Sequence, residues 1–211
     1  AAVLIAALRS ICGGPLGVLF GLWHRLSLPS LPLLLAVAPL AALAADKFSG
    51  LTPIACANLP YNITTPVLTA LIEAGCFASI TVMIQREVAL RICAAPGSSD
   101  YGAFSVFCQY HTQPELLFEV GPECFLPAPK VTSAVIRLVP RSAPPQNLVD
   151  ESFFFQVVRA SFAQRRKTLL KGLSPAFGSR LSKDALRGAI EAAGLPADIR
   201  GERLGDRKSV V

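Results

Sequence analysis

Residues 56–66 read CANLPYNITTP and join an apolar segment to the beginning of a helix. The apolar segment LTPIACA (51–57) predicts a short buried strand. The loop that follows this strand consists of Asn58, Leu59, Pro60 and Tyr61. An amide, a stiff backbone and an aromatic ring at the carboxyl end of a strand favour a site for a planar, polar ligand, because open α/β sheets bind ligands there. The alternative is an ordinary turn in which the Asn58 side chain bonds its own backbone.

The segments after this loop alternate between helix and strand, which predicts an α/β fold. Thr64 or Thr65 is a suitable helix cap, and Gly75 is a suitable end for that helix. Further strands are predicted at 80–85, 115–120 and 133–139, and further helices at 86–94 and 101–110. The link GPECFLPAPKVT between the last two strands contains Phe125 and is a candidate lid or pocket wall.

The C-terminal part of the chain has a different composition. Residues 141–148, RSAPPQNL, resemble a linker and predict a domain boundary. Residues 150–173 are helical by their apolar period, and shorter helices near 183–193 and from Pro196 onward complete a small helical domain.

The positive charge is concentrated in this helical part. Residues 1–150 contain 8 Lys and Arg and 8 Asp and Glu, whereas residues 151–211 contain 12 and 6. A basic domain attached to a neutral body indicates a polyanionic partner such as RNA, with a merely solvated basic helix as the alternative.

Cysteine and histidine usage argues against a metal site. The six cysteines include no Cys-x-x-Cys pair, and several lie in apolar segments, which predicts reduced, structural thiols in a cytosolic protein. The two histidines, His24 and His111, do not lie in a ligand-like cluster. We therefore predict no bound metal.

Residues 1–45 contain no Asp or Glu and differ from the rest of the chain. From Arg25 onward they share features with an export signal, including a cleavage pattern at residues 42–44, but three prolines interrupt the apolar segment. The segment is also short for a membrane span of ~20 residues. A fragment edge and an altered reading frame are the other interpretations, and we predict no membrane association.

The stretch NLPYNITTP resembles the signature of the rRNA adenine N6,N6-dimethyltransferases, the KsgA/RsmA family. MIQREVALRI, PGSSDYGAFSV, FLPAPKVTSAVIRL and VVRASFAQRRKTL are similar to later blocks of that family in the same order, from about Asp46 to about Arg203. The resemblance implies an S-adenosylmethionine-dependent methyltransferase fold, a Rossmann-like and mainly parallel sheet followed by a small all-helical domain. The implied organisation is an atypical segment at 1–45, a catalytic domain at 46–140, a linker at 141–148 and a helical RNA-binding domain at 149–211.

The resemblance also implies a reaction, in which methyl groups pass from S-adenosylmethionine to two adjacent adenines of small-subunit rRNA during ribosome biogenesis. Asn58 would contact both the methyl donor and the target amine, the Pro60 carbonyl would accept from that amine, and Tyr61 would stack on the adenine. Leu59 belongs to the same catalytic motif, and Phe125 matches the family's Phe that closes on the other face of the base. Residues expected to meet RNA phosphates are Arg159, Arg165, Arg166, Lys167 and Lys171.

These inferences predict a cytoplasmic monomer that acts on a small-subunit ribosomal precursor. For Gln85 and Glu87, packing and helix capping are favoured over a catalytic role. The alternatives to the enzyme are an RNA-binding module without catalysis and a large-subunit rRNA adenine methyltransferase of the macrolide-resistance type.

The region before Asn58 departs from the family pattern. GGPLGVLFG (13–21) supplies glycines for a donor loop, but no acid precedes Asp46, and Ala41 lies where the family has an Asp beside the donor's adenine. The 57 residues before Asn58 are also fewer than three βα units with their loops require. We therefore expect the N-terminal half of the sheet to be incomplete and donor binding to be impaired.

Overall fold

The computed structural model describes residues 42, 50–143, 150–164, 167–196 and 198–204. The strands in these ranges are β1 (Ile54–Asn58), β2 (Ser79–Gln85), β3 (Thr112–Val120) and β4 (Ser133–Pro140). The helices are α1 (Thr64–Glu73), α2 (Arg86–Cys93), α3 (Ala103–His111), α4 (Glu151–Phe162), α5 (Leu169–Phe177) and α6 (Lys183–Ala192). Short 3-10 turns lie at Tyr61–Ile63, Pro122–Cys124 and Gly201–Arg203.

The four described strands form one sheet in the order β1-β2-β4-β3. β1 runs parallel to β2, with Asn58 opposite Met83, whereas β4 runs antiparallel to both β2 and β3. Gln85 and Val120, the last residues of β2 and β3, both lie opposite Ser133, the first residue of β4. The carboxyl ends of β1, β2 and β3 therefore meet at one edge of the sheet, together with the beginning of β4.

The α/β class expected from the sequence is confirmed, but the described part of the sheet is not mainly parallel. One pair of strands is parallel and two pairs are antiparallel. The reason lies in the connection between β3 and β4, since residues 121–132 contain only a 3-10 turn and parallel neighbours require a longer crossover.

The core packs against one face of the sheet. Side chains along a strand alternate between the two faces. The residues that are 0 % exposed are Ile80, Val82 and Ile84 in β2 and Ala134, Ile136 and Leu138 in β4. The residues between them are half-buried or exposed, and Ser133, which precedes Ala134 at the beginning of β4, is also buried. Asn58 is paired with Met83, and Met83 with Val135, so the Asn58 side chain lies on the accessible face.

Helix α1 buries the apolar side that the sequence predicts, including Leu68, Leu71 and Ile72. The predicted cap is wrong, because Ile63 occupies the cap position without a side-chain hydrogen bond. A 3-10 turn leads directly into the helix, so Thr64 is already helical, and its Oγ1 donates to the Pro60 carbonyl oxygen at 3.2 Å.

Residue contacts divide the chain into two units. The sheet unit comprises the described residues up to Ala89 together with Thr112–Pro140, and the helical unit comprises Leu90–His111 together with the described residues from Arg141 onward. Residues 90–111 thus group with the C-terminal helices. The functional division at 141–148 stays a prediction.

The region 150–173, predicted as one helix, forms the separate helices α4 and α5. Thr168 precedes α5 in an extended conformation, and the Leu169 amide donates to the Ile199 carbonyl oxygen at 2.7 Å. The break allows both helices to contribute to one apolar cluster, with Ala160 from α4 and Leu173 from α5. The helix predicted from Pro196 onward is not found in the described residues up to 204, which form a single 3-10 turn.

Candidate functional site

The loop after β1 is anchored at Leu59 and open at Asn58. The Leu59 side chain is buried, and its backbone amide donates to the Met83 carbonyl oxygen at 3.1 Å. The Asn58 side chain is exposed and has no hydrogen-bond partner among the described residues. Its amide is therefore held at the carboxyl end of β1 by the backbone and remains accessible to a ligand.

The Leu59 and Pro60 carbonyl oxygens of this loop differ in the hydrogen bonds that they already accept. The Pro60 carbonyl oxygen already accepts from the Ile63 amide at 3.1 Å and from the Thr64 hydroxyl at 3.2 Å. A carbonyl oxygen has two lone pairs, so Pro60 has no further capacity as an acceptor. No hydrogen bond to the Leu59 carbonyl oxygen is present among the described residues. The open backbone acceptor beside Asn58 is therefore Leu59, whereas the sequence predicted Pro60.

The Tyr61 ring is fixed at its hydroxyl end. The Tyr61 hydroxyl and the Ser133 Oγ form a hydrogen bond of 2.7 Å. Ser133 is 0 % exposed and begins β4, whereas Tyr61 is half-buried. Because the serine is held by the sheet, the bond restricts the orientation of the ring and leaves part of it available for stacking.

The link that contains Phe125 lies at the same edge of the sheet. It leaves β3 after Val120 and enters β4 at Ser133, the residue that bonds Tyr61. Phe125 follows a 3-10 turn and is half-buried, and its amide donates to the Pro122 carbonyl oxygen at 3.2 Å. No ring contact between Phe125 and Tyr61 is found in the described part of the chain. The topology thus brings the two predicted segments together, while the two rings are not in contact.

A polar cavity of about 250 Å³, which we call the edge cavity, also lies at these strand ends. Its lining consists of Gln85, Arg86, Glu87, Lys130, Val131 and Thr132. Two hydrogen bonds of Arg86 stabilise the lining of the edge cavity. Its backbone amide donates to the Thr132 carbonyl oxygen at 3.0 Å, and its Nε donates to the Glu119 carboxylate at 2.6 Å. Sequence reasoning missed this set, because the residues come from segments about 45 positions apart.

Comparison with known proteins decides the family. The family model described as "Ribosomal RNA adenine dimethylase" matches residues 44–193. The chain belongs to the ribosomal RNA adenine dimethylase family. Among the relatives, proteins named ribosomal RNA small subunit methyltransferase A from Halothermothrix orenii and Lachnoclostridium phytofermentans are 47% and 48% identical over 149 residues. These matches cover 70% of this chain and 50% and 51% of the relatives, so the chain spans about half the length of the curated relatives it matches.

Solved structures agree with the fold of this dimethylase family member. A dimethyladenosine transferase from Plasmodium falciparum aligns with a TM-score of 0.62 at 21% identity, covering 74% of this chain and 63% of that one. The 23S rRNA methyltransferase ErmE aligns with a TM-score of 0.53 at 20% identity, covering 81% and 75%. At these identities the likeness concerns the fold.

The cations predicted to bind RNA are only partly described. Arg159 on α4, Lys171 on α5 and Lys167 just before α5 are exposed, and none of them forms an ion pair with another described residue. Arg165 and Arg166 lie outside the described residues. The three described cations are therefore available to a polyanion.

The free thiols among the described residues differ in exposure, and burial raises the pKa of the half-buried Cys76 in the sheet unit. Burial raises the pKa of Cys108, with a smaller contribution from Cys93, and burial also raises the pKa of Cys93 itself. Cys56 and Cys124 in the sheet unit are exposed free thiols.

Among the described residues, no group of three His, Cys, Asp or Glu side chains is placed to hold a metal ion. No helix in the same ranges combines the length and the apolarity that a membrane crossing requires.

Proposed function

We propose that the chain acts as an rRNA adenine N6,N6-dimethyltransferase, with the loop Asn58–Tyr61 and the link containing Phe125 as the site for the target adenine. The observation that carries this proposal is the pairing of an accessible Asn58 amide with a Tyr61 ring that is fixed by Ser133. Both lie at the carboxyl ends of the strands, where sheets of this class bind ligands. The substrate is two adjacent adenines of small-subunit rRNA, which is consistent with the names of the relatives.

The chemistry follows from the acceptors in the loop. The exocyclic amine of adenine is a weak nucleophile because its lone pair is delocalised into the ring. The Asn58 Oδ1 and the Leu59 carbonyl oxygen accept hydrogen bonds from this amine, which favours a pyramidal nitrogen with an available lone pair. The Tyr61 ring stacks on one face of the base, and Phe125 closes on the other. The residues therefore act by positioning and by polarisation.

S-Adenosylmethionine would supply an electrophilic sulfonium methyl group at this site. Asn58 fits the donor as well as the amine, because its exposed side chain has no competing partner among the described residues. The other residues that would hold the donor precede residue 50 and lie outside the described part of the chain. Since Ala41 replaces the expected Asp, we propose that donor binding is impaired in this chain.

The helical unit would hold the RNA backbone. Arg159, Lys167 and Lys171 are exposed and lie in the domain with the positive excess, which suits contacts with phosphates. The division into a catalytic domain at 46–140, a linker at 141–148 and an RNA-binding domain at 149–211 belongs to this proposal. So do the cytoplasmic location and the monomeric state.

An RNA-binding module without catalysis is the second candidate, and the absent donor Asp favours it. Two measurements are needed, of which the first tests the impaired donor site and the second separates the candidates. The first is calorimetric titration of the chain with S-adenosylmethionine, for which we expect binding weaker than micromolar. Micromolar binding would contradict the impaired donor site.

The second measurement is methyl transfer at saturating donor to small-subunit particles that lack these methyl groups. The enzyme proposal predicts slow incorporation confined to two adjacent adenines. Particle binding without any incorporation would support the binding module instead. In a parallel assay with large-subunit rRNA as the substrate, incorporation would favour the macrolide-resistance type of enzyme.

A further inference from the structure

The edge cavity and the proposed target site are linked by one pair of opposite residues, Gln85 and Ser133. Gln85 is directly opposite Ser133 in the β2-β4 ladder, and side chains at such paired positions are about 4.5–5.5 Å apart at Cβ. Ser133 in turn bonds the Tyr61 hydroxyl at 2.7 Å. The edge cavity is thus connected to Tyr61 through the pair Gln85 and Ser133, which would bring it within reach of a nucleotide next to one held by Tyr61.

The lining of the edge cavity mixes donors and acceptors. The half-buried Gln85 amide offers both, the Glu87 carboxylate only accepts, and the Lys130 ammonium only donates. None of these three side chains has a hydrogen-bond or ionic partner among the described residues. The packing and capping roles predicted for Gln85 and Glu87 are thus not accompanied by any side-chain bond in the described ranges.

This mixture of donors and acceptors favours a nucleobase over a phosphate as the group that binds in the edge cavity. A phosphate prefers donors alone and would be repelled by Glu87, particularly since Arg86 is already paired with Glu119 at 2.6 Å. The edge of a nucleobase requires a donor and an acceptor side by side, and the glutamine amide matches adenine in this way. The volume of about 250 Å³ is below that of drug-sized ligand sites, ~300–1,000 Å³, and suits one planar group.

We propose that the edge cavity is a subsite for the adenine next to the target adenine, and that Gln85 reads its Watson–Crick or Hoogsteen edge. Glu87 serves as a second acceptor for the exocyclic amine of this neighbouring base. The inference rests on the proposed function, in which the substrate contains two adjacent adenines. It explains how one site would select such a pair, since the target loop holds one base while the edge cavity recognises the other.

The test uses the full chain and a hairpin RNA with two adjacent adenines in its loop. Each adenine is replaced in turn by purine, which lacks the exocyclic amine, and dissociation constants are measured by fluorescence anisotropy at one fixed salt concentration. We expect each replacement to weaken binding to the unsubstituted chain about tenfold. The substitution Gln85→Met, which keeps the length of the side chain and removes its amide, should reduce the discrimination at the neighbouring position, where only Glu87 remains as an acceptor, and leave the target position unchanged.

Gln113→Met is the matched control, because Gln113 is an exposed glutamine of β3 away from the edge cavity. This variant should retain the tenfold discrimination at both positions. If Gln85→Met discriminates at the neighbouring position as the unsubstituted chain does, the subsite is overturned.

Asn58→Ala provides the arm that tests the proposed function by itself, because it should reduce discrimination at the target position, where only the Leu59 carbonyl oxygen remains as an acceptor. A loss of this kind together with an unaffected Gln85→Met would leave the target site standing and overturn the edge-cavity subsite alone. If the unsubstituted chain binds neither the two-adenine hairpin nor its purine-substituted forms, the proposed function and the subsite are both contradicted.

Discussion

The sheet unit and the helical unit hold their candidate functional residues in different ways. In the sheet unit, Tyr61 is bonded to a fully buried serine, and Leu59 is bonded to the backbone of β2. In the helical unit, Arg159 and Lys171 are exposed and have no ionic partner among the described residues. The sheet therefore fixes the direction of its groups, whereas the helices present charge without fixing its geometry.

This difference separates two kinds of recognition. A ring held in one orientation discriminates between chemical groups, so its removal changes what is bound. An exposed cation adds an interchangeable and salt-dependent contribution to affinity. We expect substitutions in the sheet unit to change specificity strongly and substitutions of single cations in the helical unit to change only the overall affinity.

The largest expected effect is that of Tyr61→Ala on RNA binding. Stacking of a base on an aromatic side chain contributes about 1–3 kcal/mol, so the affinity for the two-adenine hairpin should fall by a factor of about 5 to 150. The variant Tyr61→Phe keeps the ring and loses only the bond to Ser133, so it should bind nearly normally and lose about 1 kcal/mol of unfolding free energy. Equal affinity losses in the two variants would contradict stacking by the ring.

The next effect concerns packing in the helical unit. A Cβ at Gly172 of α5 would lie 2.8 Å from the Ala160 carbonyl oxygen, whereas a Cβ at Gly188 of α6 would have nothing within 4 Å. Gly172→Ala should therefore destabilise the protein by about 1–3 kcal/mol in urea unfolding. The control Gly188→Ala should be stabilising by roughly 0.5–1 kcal/mol, because alanine is the better helix former. If both variants are less stable than the unsubstituted chain, the effect does not come from the contact between a Cβ at position 172 and the Ala160 carbonyl oxygen.

The dependence of stability on pH tests the buried thiol of the helical unit. Burial raises the pKa of Cys108 in the folded protein above its ordinary value of 9.0, so the neutral thiol stabilises the fold below that pH. As the pH rises above about 9, each pH unit should cost up to ~1.4 kcal/mol in unfolding free energy. The variant Cys108→Val should lose this contribution, and Cys56→Val, which replaces an exposed thiol, should keep it. Parallel pH profiles for Cys108→Val and the unsubstituted chain would refute the assignment.

The smallest expected effects are those of single cations. Arg159→Ala and Lys171→Ala should each weaken RNA binding equally for hairpins with and without adjacent adenines. Each should also reduce the slope of log affinity against log salt by about 0.7–0.9, as expected when one phosphate contact is lost. A change in adenine discrimination in either variant would contradict the proposal that the sheet unit determines specificity and the helical unit only affinity.

The sequence predicted the parts of the fold that depend on local periodicity. The strand β2 and the apolar side of α1 were confirmed, because buried residues such as Val82 in the strand and Leu68 in the helix recur at the period of their element. The break between α4 and α5 was not predictable in this way, because the apolar period continues through it. The break is accompanied by the bond from Leu169 to Ile199, which joins residues distant in sequence.

For the candidate site, the sequence indicates which residues to propose but not which of their carbonyl oxygens are free to accept a hydrogen bond. Asn58, Tyr61 and Phe125 stand out by type and position, and the structure places their segments at one edge of the sheet. The occupied state of the Pro60 carbonyl and the contact of Gln85 with the edge cavity follow from backbone geometry and strand register, which no local pattern contains.

Ultraviolet crosslinking of the two-adenine hairpin RNA to the full chain, followed by mass spectrometry of the modified peptides, tests the division between the units most directly. We expect a base adduct on Tyr61 in the sheet unit and no base adduct on Arg159, Lys167 or Lys171 in the helical unit. Base adducts confined to the helical unit, with Tyr61 unmodified, would contradict this division.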